Sequence, residues 1–125
     1  MADDTVRTTA IETDIVSRTA EDAGVEEEKL ADALKLLDAD LKGRHSGFED
    51  GTYVTVEDRR AYAVDPGEWA SLFEPYDLDA SVENAARRAH ERQAEALFVA
   101  SEGDSTPLEG ASGVVAGVDT AEQFD

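Results

Sequence analysis

The residues best suited to chemistry form one run, Arg87-Arg88-Ala89-His90-Glu91-Arg92, the densest positive stretch in the chain. Arg88 and Arg92 stand four apart. On a helix they share a face, and their guanidinium forks suit a phosphate or a carboxylate. A plainer reading is pairing within the helix, because Glu83 lies four before Arg87 and Glu95 three after Arg92. His90, set among these charges, is expected at the surface with them. Arg87, Arg88, His90 and Arg92 are therefore the candidate interaction residues. Their counterpart would be an acidic ligand, RNA phosphates or the carboxylates of a protein partner. Arg59-Arg60 and Arg44-His45 would add to this face only if folding brought them near.

Catalysis has less to stand on. The chain has no Cys, which excludes thiol nucleophiles, disulfides and Cys-based metal sites. Of the two histidines, His45 sits beside Ser46, but adjacency is not geometry, and no oxyanion-forming glycine motif surrounds the pair. Among 30 acidic residues no acid–base pair can be singled out. No glycine-rich phosphate loop follows a strand, and no His pair has zinc spacing. The expectation is a protein that is not an enzyme, with no catalytic residue, no metal ligand and no cofactor.

Two partial motifs run against that expectation. Asp38, Asp40, Gly43 and Glu49 occupy positions 1, 3, 6 and 12 of a helix–loop–helix calcium loop. Lys42 stands where that loop needs an oxygen ligand, and His45 where it needs an apolar contact, so a helix end followed by a loop is the simpler reading. Ala20, Gly24, Val25 and Leu30 fit a helix-turn-helix. Its recognition helix would begin Glu26-Glu27-Glu28, three negative charges facing a polyanion, which argues against groove insertion. The aromatics Tyr53, Tyr62, Trp69, Phe73 and Tyr76 are expected to build the core; a ligand pocket lined by them is the alternative.

The elements that must position these groups follow from periodicity. Thr9 and Glu12 form a capping box ahead of a helix with Ile11, Ile15, Val16 and Thr19 on one face, stopped at Gly24. Leu30, Leu34, Leu37 and Leu41, with Ala33, stripe a second helix from about Val25 that ends at Gly43. The period then changes to two. Residues 52–56 and 60–64 read as a β-hairpin around Glu57-Asp58-Arg59. Asp65, Pro66 and Glu68 read as N-cap, N1 and N3 of a short helix stopped before Pro75. A fourth helix runs from Asp79 or Ser81 to about Ala100, with Val82, Ala85, Ala86, Ala89, Gln93, Ala96, Leu97 and Ala100 on its buried side. Residues 101–112 read as a mobile loop, and 113–118 as a third strand beside the hairpin. The fold class is α+β, about four helices on a small, mainly antiparallel three-stranded sheet. The expected organisation is a frayed terminus over 1–8, one domain over 9–118 and a tail over 119–125.

The charge separates the remaining readings. The 125 residues carry a formal charge of −19, with 30 Asp+Glu against 11 Lys+Arg. Acidic residues occur in every segment; there are eight Arg but three Lys, and 20 Ala. Evenly spread acid suits a whole surface adapted to molar salt better than one face for a basic partner. At about 1 M salt the Debye length is about 3 Å and self-repulsion is nearly screened out. No apolar run approaches the roughly 20 residues of a membrane span, and the first ten residues lack a signal-peptide pattern, so a cytoplasmic location is expected.

Asp40 to Ser46, Tyr53 to Val56 with Arg60 to Val64, and Gly117 to Phe124 together resemble a family of small, acidic, uncharacterised haloarchaeal proteins. The resemblance implies a haloarchaeal origin and a single domain, and brings no activity or site residues with it. The expected function is a non-catalytic accessory or protein-interaction domain in a molar-salt cytoplasm, with an unknown protein as partner. A nucleic-acid- or ribosome-associated factor using Arg87, Arg88 and Arg92 is the alternative, and a small-molecule or divalent-ion binder a weaker one. A homodimer through an Ala-rich helix face or a strand edge is compatible with either.

Overall fold

The computed structural model describes residues 11–44, 52–56, 59–104 and 106–117. In chain order these form α1 (Thr13–Ala23), α2 (Glu27–Arg44), β1 (Tyr53–Val56), β2 (Arg59–Val64), α3 (Glu68–Phe73), α4 (Ala80–Glu102), a 3-10 turn (Thr106–Leu108) and β3 (Ser112–Gly117). The architecture is α+β, four helices with a three-stranded antiparallel sheet in the order β1-β2-β3. The Thr9 cap, the hairpin turn at Glu57 and Asp58, His45, Ser46, Glu49 and both terminal stretches lie outside the described residues.

Gly24 ends α1 in the left-handed region, φ 72°, where a side chain would be strained. Its N–H and that of Val25 return to the carbonyls of Glu21 and Ala20. The chain can then turn at once into α2, whose Leu30, Leu34, Leu37 and Leu41 are all buried. Each such leucine contributes about 1.5–3 kcal/mol of burial. Tyr53 pairs with Tyr62 and Val56 with Arg59 across the hairpin, and β3 completes the sheet on the other side of β2, Tyr62 opposite Val114. Side chains alternate across a sheet, so Ala61, Ala63, Gly113 and Val115 share one face and Tyr62, Val64, Ser112 and Val114 the other.

The small-residue face receives α4. A Cβ built on Gly113 would overlap the Ala94 methyl group, so strand and helix meet with no room for a side chain between them. The central helix of the domain is α4, which packs against α1, α2 and all three strands.

Several local expectations are corrected, and α2 runs through its expected stop at Gly43 to Arg44. The short helix begins two residues late, at Glu68, with Gly67 as its N-cap. Asp65 instead closes the preceding turn, its carboxylate accepting from the Gly67 N–H at 2.8 Å and its carbonyl from the Glu68 N–H at 2.8 Å. The buried face of α4 includes His90, Ala94 and Phe98, whereas Ala96 and Ala100 are exposed. A helix enclosed on several sides buries a broad face, and the narrow alanine stripe drifted off it. Finally, α4 continues to Glu102 and stops at Gly103, φ 89°, and the chain re-forms a 3-10 turn at Thr106, which shortens the expected loop at both ends. Tyr62, Trp69 and Phe73 are core as expected, but Tyr53 is 41% exposed, with the Arg60 guanidinium 4.9 Å above its ring centroid.

Candidate functional site

Helix α4 presents three kinds of polar group. The innermost is His90, which the charges around it concealed: it is buried, 2% exposed, and not a surface residue. Its Nδ1 accepts the Val115 N–H at 3.0 Å, so the imidazole caps an amide on the outer edge of β3. The proton then resides on Nε2, which is buried without a partner. The Trp69 ring stands edge-on to the imidazole, centroids 5.4 Å apart. Burial pushes the His90 pKa down from 6.5 to about 3. As an interaction residue His90 is unavailable, because no partner can reach it without opening the core.

The next layer is a relay from the core to the surface. Trp69 Nε1–H donates to Ser112 Oγ at 2.7 Å, and Ser112 Oγ–H donates to Glu91 Oε2 at 2.6 Å. Arg87 Nε donates to the same carboxylate oxygen at 3.2 Å. Gln93 reaches the other way and holds the start of α1, accepting the Glu12 N–H at 2.7 Å and donating to Glu12 Oε2 at 3.0 Å. Neither the capping box nor the amphipathic pattern pointed to this contact between residues 81 apart. Glu12 is the N-cap of α1 but makes no cap bond with its own side chain.

The outermost layer is a cleft of about 420 Å³ between α4 and the approach to β3. Arg88, Glu91, Arg92 and Glu95 form its helical wall. Leu108, Glu109, Ala111 and Gly113 form the wall opposite. Arg92 is engaged, donating to Thr19 Oγ1 at 3.0 Å and to Asp22 Oδ2 at 2.7 Å. Glu91 is engaged by Arg87 and Ser112. Arg88 is exposed and makes no hydrogen bond or ion pair among the described residues. The four sequence candidates are thus divided: Arg88 is free at the mouth, Arg87 and Arg92 are tied to carboxylates, and His90 lies inside.

A family profile, the domain of unknown function DUF8048, matches residues 9–118. The chain belongs to that family. No curated protein and no solved structure matches it. The family span ends just past β3 and takes in α1 to β3, so the cleft and the relay beneath it belong to the domain itself.

The other candidates fare differently. Asp38 and Asp40 lie within α2, which runs on to Arg44, so the first positions of the calcium-loop pattern are helical and not a loop. Residues two apart on a helix point to nearly opposite sides and cannot share an ion. Among the described residues, no group of three or more His, Asp or Glu side chains is arranged to hold a metal. No helix there is long and apolar enough to cross a membrane.

Proposed function

We propose that this DUF8048 chain is a non-catalytic accessory domain, adapted to a molar-salt cytoplasm, that binds a protein partner through the α4 cleft. The observation that carries the reading is Arg88: on a surface of net charge −19 it is an uncommitted guanidinium at the mouth of a built cleft. The two described groups best suited to nucleophilic chemistry are otherwise engaged. The Ser112 hydroxyl is held between Trp69 and Glu91, and the His90 imidazole is enclosed. Pairing of Arg87 and Arg92 to carboxylates leaves no continuous basic stripe on α4 for a phosphate backbone, which favours a protein over a nucleic acid. The salt adaptation is supported by the even spread of acid and the scarcity of Lys.

Two measurements test the reading. Thermal melts in about 0.1 M and about 3 M KCl should differ widely, because self-repulsion is screened only in the second; equal stability overturns the salt adaptation. Affinity capture in about 3 M KCl should retain a protein that Arg88→Glu releases. Retention unaffected by Arg88→Glu overturns the cleft as the interface. Loss of the captured material on nuclease treatment overturns the protein partner in favour of nucleic acid.

A further inference from the structure

The cleft is polar in a definite sense. Of its five charged side chains, Glu91 and Arg92 are locked by partners on the domain, while Arg88, Glu95 and Glu109 make no described contact. Arg88 and Glu95 are seven residues apart on α4. Seven residues are two helical turns, about 10 Å along the axis. Leu108, Ala111 and Gly113 lie on the wall facing this stripe and offer apolar surface and backbone. Along the helical wall the cleft therefore runs from an uncommitted cation to an uncommitted carboxylate, with Glu91 and Arg92 between them already matched by partners and apolar surface on the wall opposite.

We infer that the cleft takes an extended peptide segment of the partner in which one acidic and one basic residue flank two apolar or small ones. This rests on the interaction reading above and specifies its ligand. An extended chain advances about 3.3 Å per residue, so charges three residues apart span about 10 Å and meet both Arg88 and Glu95. The carboxylate sits on the Arg88 fork and the cation on Glu95. The intervening side chains lie on Leu108. A polyanion is disfavoured by the two free carboxylates, and a polycation by Arg88. Pairing with the outer edge of β3 at Val115 is closed, because His90 already accepts that amide. The Trp69–Ser112–Glu91 chain gives occupancy a built-in reporter, since Trp69 is the one tryptophan in the sequence and Glu91 lines the cleft.

The test uses three end-blocked tetrapeptides, Lys-Leu-Ala-Asp, Lys-Leu-Ala-Lys and Asp-Leu-Ala-Asp, titrated onto the whole chain in about 2 M KCl. Trp69 fluorescence and backbone amide shifts are the readouts. The mixed peptide should bind about two- to threefold more tightly than either uniform one, since molar salt leaves two exposed contact ion pairs only a modest contribution. On Arg88→Glu the ranking should invert in favour of the all-lysine peptide, and Glu95→Lys should favour the all-aspartate one. Both positions are exposed and without described partners, so unchanged melts will confirm that each variant folds. Equal or better binding of a uniform peptide to the wild type overturns the inference, as does a ranking indifferent to Arg88→Glu. Should the captured partner depend on Arg88 while the mixed peptide shows no advantage, only the inference falls. Should capture ignore Arg88, the interaction reading falls as well.

Discussion

Replacing His90 by Asn should remove about 2 kcal/mol of this fold's loss of stability between about pH 7.5 and about pH 5. The imidazole is buried and neutral, with Nδ1 accepting from Val115 and Nε2–H lacking a partner. Protonation would place a second proton opposite the Val115 N–H and an unscreened charge in the core. Desolvation by burial lowers its pKa from 6.5 in the free side chain to about 3 in the fold. A group depressed in this way leaves the unfolded chain binding more protons, so stability is full above pH 6.5 and is lost as pH falls towards 3. Each pH unit inside that window costs about 1.4 kcal/mol, and the interval down to about pH 5 costs about 2 kcal/mol. Asn at this position can keep an acceptor near the Val115 amide without a titrating group. Urea unfolding of both proteins in about 2 M KCl at the two pH values isolates the difference. All other groups are common to both proteins and cancel to first order. Wild type should lose about 2 kcal/mol more than His90→Asn. Parallel losses would refute the burial of a neutral His90, and so the capping of β3 by its ring.

Two further substitutions test the packing around α4. Gly113→Ala sets a methyl against Ala94 and should cost about 1–3 kcal/mol, seen as a lower melting temperature without loss of helix content at low temperature. Gln93→Ala removes both contacts to Glu12 and should cost about 1–3 kcal/mol, with hydrogen exchange accelerating first in α1.

Where local rules act alone, the sequence was readable. The leucine ladder of α2, the stop at Gly24 and the two strands of the hairpin depend on neighbours a few residues away, and all stand within a residue of where periodicity placed them. Where an element has several neighbours, local rules misled. Ala96 and Ala100 have the right residue type for a buried face but look outward, while His90 looks inward, because α4 meets both the sheet and α1. Polarity suggested a surface position for His90; the Val115 amide that satisfies it lies 25 residues on, beyond any motif. Arg92 likewise carries no mark in its own segment of its bond to Asp22, 70 residues earlier. Arg88 was legible as a candidate, but not as the uncommitted member of its cluster.

The position of β3 also has a consequence for synthesis. After Val64 leaves the ribosome, roughly fifty residues, including all of α4, must follow before β3 can cover the open side of β2. At translation rates of about 5–20 residues per second, that leaves a hairpin with an unpaired edge for on the order of 3–10 s. Arg59 and Arg60 lie on that strand, and the nascent chain around it is strongly acidic. Charges of this kind discourage edge-to-edge pairing between neighbouring polypeptides.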